Sequence, residues 1–218
     1  MIAIRHLASI CIIAAVAADT FPITAFGYQA SGPTNGGNTL NFGPTDVVPH
    51  LSAANQTTVN VNGSTVSWSY FYENSAVNVT GNADISWMHL YDNSTANIHD
   101  GDISWLKLYQ SSRANLRSVD QLSWLLLNDE SQAHIYGTDF RYGGGHLSGK
   151  WANGVSFSFW ALNENDLANP SSNRSIAPAG LHFHVVPEPV SGGLAAAATA
   201  FALLRLKKRN PNTASGNR

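Results

Sequence analysis

The chain has 218 residues, of which 44% are hydrophobic and only 12% are charged, and its formal net charge is −2. These values fit one folded domain whose polar residues are largely Ser, Thr, Asn and Gly rather than charged side chains. Short polar side chains compete with helical hydrogen bonds, so the composition disfavours a helical bundle, and the small negative charge disfavours a nucleic-acid-binding protein.

The first 17 residues are typical of a secretory signal peptide. Arg5 precedes an apolar run, Leu7–Ala17, that ends in the small-residue cleavage site Ala15-Val16-Ala17. With about 11 residues, the run is too short to cross a bilayer as a helix. A later cleavage site, Ala25-Phe26-Gly27, stays open. Cys11 is the single cysteine and lies inside the signal, so we expect an exported mature chain without disulfides.

Residues 18–45 lead into the body of the chain. The part from Gly27 to Gly43 is rich in Gly, Asn and Thr, which are residues typical of turns and loops. We therefore expect an irregular N-terminal segment.

An internal repeat of 18 or 19 residues occupies residues 46–140. Its clearest marker is a tryptophan that recurs at spacings of 19, 18 and 19, as Trp68, Trp87, Trp105 and Trp124. Each repeat holds two short stretches of alternating apolar residues, and its period is too short for a pair of helices. The pattern predicts an all-β fold, a single-stranded parallel β-helix or solenoid in which each repeat is one coil that stacks on the next.

Turn-forming residues separate the two strands of every coil. Asn, Asp, Glu, Gln and Ser fill residues 73–75, 92–94, 110–112 and 129–131, and Asn, Asp and Ser make turns by bonding to the nearby backbone. The glycines Gly81, Gly101 and Gly137 are expected to mark the opposite corner.

Period-two alternation assigns the faces of each strand. It places an internal ladder on the first strand, formed by Phe71, Leu90, Leu108 and Leu127. On the second strand it points a polar column outward, formed by Asn78, Asn97, Asn115 and His134.

The outer face of the first strand carries aromatic rings. Six of them are candidates for a glycan-stacking ladder: Trp68, Trp87, Tyr91, Trp105, Tyr109 and Trp124. Sugar rings stack on aromatic rings, and an exposed aromatic stripe on a soluble protein needs a reason. The alternative is that the rings pack on one another and stiffen the solenoid.

Residues 141–185 are predicted to cap the open C-terminal end of the solenoid. Asn153-Gly154, within His146–Leu162, is a strong signal for a β-hairpin, and a hairpin there would cover an exposed strand edge. Residues 163–180 are predicted to be a polar loop, and Leu181–Val186 a last strand.

A second signal occupies residues 186–209. Val186-Pro187-Glu188-Pro189 is followed by fifteen uncharged residues, Val190–Leu204, and then by the basic residues Arg205, Lys207, Lys208 and Arg209. The prolines bar helix continuation upstream, and the basic cluster would hold an Ala/Leu-rich membrane helix with this end in the cytoplasm. A helix of that length measures about 22 Å, which is less than a ~30 Å hydrocarbon core and suits a temporary anchor.

This order of Pro-Glu-Pro, helix and basic cluster resembles the PEP-CTERM sorting signal of bacteria that make extracellular polysaccharide. The resemblance implies processing near the motif by exosortase, a membrane cysteine protease-transpeptidase, after transient anchoring in the inner membrane. It then implies release to the cell surface or beyond. Residues 210–218 depart from the family, whose members usually end soon after the basic residues. An ordinary single-pass anchor is the alternative. The repeats likewise resemble those of PEP-CTERM ectodomains.

Metal and catalytic signals are weak. Asp100-Gly101-Asp102 offers carboxylates for calcium without EF-hand or RTX spacing, and His182-x-His184 offers two imidazoles without an evident third ligand. Ionisable residues that a β-helix lyase would cluster are scattered over the coils, namely Lys107, Arg113, Arg117, Asp100, Asp102 and Asp120. We therefore expect no enzyme, no cofactor and no metal.

The expected function is that of an exported, non-catalytic cell-surface or extracellular-matrix protein associated with exopolysaccharide or biofilm. One alternative is a carbohydrate-binding module that uses the aromatic ladder, and a further one is a β-helix polysaccharide-degrading enzyme. The expected partners are exosortase, the membrane before processing, and neutral extracellular polysaccharide, because acidic residues outnumber basic ones between the two signals.

Overall fold

The computed structural model describes residues 28–31, 38–168 and 174–186. The predicted signal peptide, residues 1–17, and the predicted sorting signal after Val186 lie outside these residues. Within them, no helix is both long and apolar enough to cross a membrane.

Short strands make up nearly all of the described residues, as the turn-rich sequence predicts. There are fifteen strands and one short helix in this part of the chain: β1 (Tyr28–Ser31), β2 (Thr39–Phe42), β3 (Val47–Ala54), β4 (Thr58–Asn62), β5 (Thr65–Phe71), β6 (Ala76–Thr80), β7 (Asp84–Leu90), β8 (Thr95–Ile98), β9 (Asp102–Leu108), β10 (Arg113–Leu116), β11 (Gln121–Leu127), β12 (Gln132–Gly143), β13 (His146–Trp151), β14 (Ser156–Asn163), α1 (Glu164–Ala168) and β15 (Leu181–Val185).

The strands form a parallel β-solenoid of about five turns. Strands β3, β5, β7, β9 and β11 pair in parallel into one layer. Strands β4, β6, β8, β10 and β12 pair in parallel into a second layer. Equivalent residues of neighbouring coils stand opposite one another, as Trp68, Trp87 and Trp105 do. The predicted all-β parallel solenoid is therefore confirmed.

The core lies between the two layers. Phe71, Leu90 and Leu108 are completely buried and Leu127 is 3% exposed, so the predicted internal ladder is confirmed. Smaller buried residues such as Ala96 fill the inner side of the second layer. Because each coil repeats the same inward residues, the core continues from coil to coil without a break.

The first strand of each coil bends, which strict alternation does not anticipate. In β9, Ile103, Leu106 and Leu108 are buried, whereas Ser104 is exposed and Trp105 half-buried between them. Two consecutive outward residues therefore interrupt the period of two, so one strand lines two sides of the core.

The turns after the first strands join neighbouring coils. Glu73, Asp92, Gln110 and Asp129 have positive φ angles of 56°, 55°, 55° and 53°. The backbone N–H of Glu73 donates to the Asp92 carboxylate at 3.1 Å, and that of Asp92 donates to Oε1 of Gln110 at 2.7 Å. The predicted turn residues thus also bind each coil to the next.

Glycines build the opposite corner at two of the three expected positions. Gly81 and Gly101 have φ angles of +67° and +99°, which favour glycine. The expectation that Gly137 marks this corner is wrong. Gly137 lies within β12 opposite Trp151, where a side chain would meet the carbonyl of Lys150. The chain continues straight there because β12 extends to pair with β13.

The predicted C-terminal hairpin is formed by β13 and β14, with Gly154 in its turn at a φ angle of +84°. Strand β14 also pairs in parallel with β11, and β13 pairs antiparallel with β12. The hairpin therefore joins the two layers. The predicted last strand, β15, pairs in parallel with β12.

Two segments are more regular than the sequence suggests. Strands β1 and β2 lie within residues 18–45, which we expected to be irregular, and pair in parallel with β3 and β4. Helix α1 lies within residues 163–180, which we expected to be a polar loop. In the first case, hydrogen bonds from the following coil supply order that the local composition does not reveal.

Candidate functional site

The outer face of the first layer carries a continuous stack of tryptophans. Neighbouring ring centroids in Trp68, Trp87, Trp105 and Trp124 are 4.8 to 5.0 Å apart, and the rings are within 5° of parallel. Trp160 of β14 extends the stack, 5.4 Å from Trp124. Sequence reasoning missed Trp160 because the hairpin interrupts the repeat, although it follows Trp124 by 36 residues, which is about two repeat lengths.

The stacking decides which ring faces a ligand could reach. Trp87, Trp105 and Trp124 each have a stacked ring on both sides, so only their edges face solvent. Trp68 begins the stack and is 41% exposed. His50 stands opposite Trp68 in β3 but stacks on Tyr70 instead, at 5.2 Å. The first face of Trp68 is therefore the one indole face in this stack that is not covered by another ring or approached by one.

A second aromatic column runs parallel to the first. Tyr72, Tyr91 and Tyr109 stack at centroid distances of 5.0 and 4.7 Å. Burial, together with the carboxylate of Glu164, raises the pKa of the Tyr109 hydroxyl. The candidate residues Tyr91 and Tyr109 are therefore half-buried rungs of a tyrosine stack, with their faces covered by one another.

Glu164 of α1 closes the space between the two columns. Its carboxylate accepts hydrogen bonds from Nζ of Lys107 at 2.7 Å, from Nδ2 of Asn128 at 3.0 Å and from the Tyr109 hydroxyl. Burial alone would raise the pKa of Glu164, but these three donors outweigh it and lower that pKa. Lys107, which the sequence left scattered, is thus neutralised by a residue that the sequence analysis did not single out.

His89 lies between the columns and is 9% exposed. Its Nδ1 is 3.3 Å from the Tyr91 hydroxyl, while Nε2 is buried without a hydrogen-bond partner. Burial, reinforced by the positive charge of Lys107, lowers the pKa of His89 to about 4. The imidazole is therefore neutral at neutral pH.

We predict that this buried imidazole makes the protein sensitive to acid. A histidine pKa that is lower in the folded state than its unfolded value of about 6.5 contributes stability above pH 6.5. That contribution, about 2 kcal/mol after solvent screening, is lost as the pH falls from 6.5 towards 4. Urea unfolding of the wild type and of His89→Gln across this range measures it, with exposed His99→Gln as the control. Parallel pH profiles for wild type and His89→Gln would contradict the assignment.

The outer face of the second layer carries a ladder of asparagines. Each side-chain amide donates to the carbonyl oxygen of the equivalent residue in the preceding coil at 2.7 to 3.0 Å, in the order Asn115, Asn97, Asn78, Asn60 and Asn41. These residues are half-buried or exposed on the outer side, as alternation predicts. The ladder uses the amide groups to hold coils together.

Histidines continue this column at its C-terminal end. His134 stands opposite Asn115 in β10 and opposite His182 in β15, and its ring stacks on His182 and His184 at 5.0 and 5.1 Å. The sequence offered no third imidazole for the His182-x-His184 pair. His134 lies 48 residues earlier than His182 and reaches it because β15 pairs with β12.

The remaining ionisable candidates are not brought together. The Asp100 carboxylate accepts the backbone N–H groups of Asn82 and Gly101, which makes it a turn residue. Partial burial and a hydrogen bond shared with Asp100 raise the pKa of Asp120. Arg113 and Arg117 lie near β12, on Gln132 and over Tyr136. In the part of the chain that the structure describes, no three His, Cys, Asp or Glu side chains are arranged as a ready metal site.

The site was also compared with known proteins. The chain matches no protein-family model, no curated protein and no solved structure.

Proposed function

We propose that this chain is an exported, non-catalytic cell-surface or extracellular-matrix protein, sorted through a PEP-CTERM and exosortase pathway and associated with exopolysaccharide. The observation that carries the proposal is the set of side-chain ladders on the two outer faces. Residues that an enzyme would converge on one point are used instead to bind each coil to the next.

Three ladders support this structural role. Indole rings stack along one face, amides bond along the other, and turn side chains bond between coils at the corner. The single cysteine, Cys11, lies in the predicted signal peptide, so the mature body has no disulfide to stiffen it. Repeated non-covalent contacts between neighbouring coils take that place.

Sorting is tested by mass spectrometry of the protein isolated from the surface of its native host. Exosortase processing near Pro187-Glu188-Pro189 removes the C-terminal peptide that contains Lys207 and Lys208. We expect that peptide to be absent from the surface form and present in cells that lack exosortase activity. Its recovery from all surface-located protein would refute the sorting route and favour a permanent single-pass anchor.

A second candidate function, carbohydrate binding, is favoured by one observation. The free face of Trp68 is the size of a sugar ring and is not stacked on another ring, with the exposed His50 and the half-buried Tyr70 nearby. Stacking on an indole gives affinity without charge, which suits neutral glycans. The candidate ladder then acts as a rigid support for a single stacking position, and Trp87, Tyr91, Trp105, Tyr109 and Trp124 do not touch the glycan.

Glycan binding by the full chain tests this candidate. Trp68→Ala is expected to abolish binding of any neutral glycan that an array detects, while Val155→Ala, which changes an exposed residue of the hairpin, leaves it intact. Binding that survives Trp68→Ala in a folded variant would exclude this position. Because this test is independent of C-terminal processing, either candidate can fail alone.

A further inference from the structure

The histidines at the end of the asparagine ladder are chemically unlike the rest of that column. Asn41, Asn60, Asn78, Asn97 and Asn115 bond only to one another along the ladder. The next two positions are His134 and His182, and His184 lies diagonally beside them. A structural ladder would need only further amides, so the change to three imidazoles needs another explanation.

The hydrogen bonds around His134 fix the state of its ring. Nη2 of Arg113 donates to Oε1 of Gln132 at 3.1 Å, so this oxygen is an acceptor. Nε2 of His134 lies 3.3 Å from the same oxygen and therefore carries a hydrogen. Nδ1 of His134 then has a free lone pair, which accepts a hydrogen bond from Nε2 of His184 at 2.8 Å. The two imidazoles are neutral and share one proton between two nitrogens.

We propose that Nδ1 of His134 and Nε2 of His184 form a chelating pair for a divalent transition-metal ion of the Cu²⁺ or Ni²⁺ class. Removal of the shared proton leaves two imidazole lone pairs at a separation that suits neighbouring ligands of one ion. With metal–nitrogen bonds of about 2.0 Å, ligands at a right angle are about 2.8 Å apart, whereas tetrahedral ligands are about 3.3 Å apart. The observed 2.8 Å matches the right-angle geometry that Cu²⁺ and Ni²⁺ prefer.

The surroundings also favour this class of ion. Burial first, and the charge of Arg113 second, lower the pKa of His134, which keeps its ring neutral as a metal ligand must be. Tyr136 stacks on His184 at 4.5 Å and restrains that ring. The contacts that the structure describes for these two histidines involve no carboxylate, so a hard ion such as Ca²⁺ has no oxygen ligands there.

Metal binding would join two strands that are distant in sequence. His134 belongs to β12 and His184 to β15, the last strand before the predicted sorting motif. An ion that binds both residues binds the folded state alone and raises its thermal stability. The proposal does not depend on the proposed function, because it rests on the geometry of this pair.

Titration of the purified full chain with CuSO₄, NiCl₂ and ZnCl₂ tests the proposal. We expect one Cu²⁺ or Ni²⁺ per chain, with Ni²⁺ bound at least as tightly as Zn²⁺, and histidine nitrogens visible in the Cu²⁺ electron paramagnetic resonance spectrum. His134→Asn and His184→Asn should each weaken binding at least tenfold. His134→Asn is suited to the test because it continues the asparagine column and so should fold. His99→Asn, at an exposed corner, is the matched control and should bind as the wild type does.

Circular dichroism of each variant ensures that a loss of binding is not a loss of folding. If either variant fails to fold, the wild-type resonance spectrum decides, because coordination by two imidazoles differs from coordination by one or none. Wild-type affinity in folded His134→Asn or His184→Asn would overturn the proposal. Tighter binding of Zn²⁺ than of Ni²⁺ would overturn the right-angle geometry on which it rests.

Discussion

Replacing Leu108 with Asp is expected to unfold the solenoid. Leu108 is completely buried and stands in register with Leu90 and Leu127 in the coils on either side. A carboxylate there has no partner, and burying it costs several kcal/mol, about 5 or more, which is comparable to the whole stability of a typical domain. Circular dichroism and urea unfolding measure the loss.

The control for Leu108→Asp adds the same charge to the same coil at the surface. Ser111 is exposed in the turn that follows β9, so Ser111→Asp should change stability by less than about 0.5 kcal/mol. If Leu108→Asp unfolded at the same urea concentration as Ser111→Asp, the inward assignment of this ladder would be wrong.

The second large effect is expected in the middle of the tryptophan stack. Trp105 stacks on Trp87 and Trp124 at 4.8 and 5.0 Å, and Nζ of Lys107 lies 5.9 Å from its ring. Trp105→Ala removes both stacking contacts and opens a gap in the column, so we expect it to lower the free energy of unfolding by about 3 kcal/mol. Trp68→Ala removes one such contact at an exposed end, and we expect about 1 kcal/mol.

The ratio of these two losses is the informative quantity. Urea unfolding of both variants, followed by circular dichroism of the backbone, gives it without relying on the fluorescence of the residues that were replaced. Equal losses, or a larger loss for Trp68→Ala, would mean that the rings act singly and that the stack does not stabilise the coils cooperatively.

The repeat made the coils predictable because each coil has the same environment as its neighbours. Trp68 and Trp87 fall at equivalent positions in the sequence, and parallel pairing then places them side by side. The same logic predicted the inward ladder at Leu90 and Leu108, since a period of two separates core from surface wherever a strand is straight. It failed locally at Ser104, where the strand bends and two consecutive residues turn outward.

The contacts at the C-terminal end were not predictable in this way. Glu164 reaches Lys107 across 57 residues, and His134 reaches His184 across 50. Neither spacing is a multiple of the repeat that a reader could recognise, because the hairpin β13–β14 and the segment before β15 intervene. Only the pairing of β14 with β11 and of β15 with β12 brings these residues together.

By itself, the sequence determined the all-β class, the coil length, the turn positions and the identity of the inward ladder. Each of these depends on local periodicity and on residues that make turns, which a single chain displays directly. The tertiary structure alone decided that the indole faces cover one another and leave one face of Trp68 free. It alone decided that Glu164 neutralises Lys107 and that three histidines meet on one face. These features depend on side-chain distances between coils and on long-range strand pairing, and no local pattern of residues encodes them.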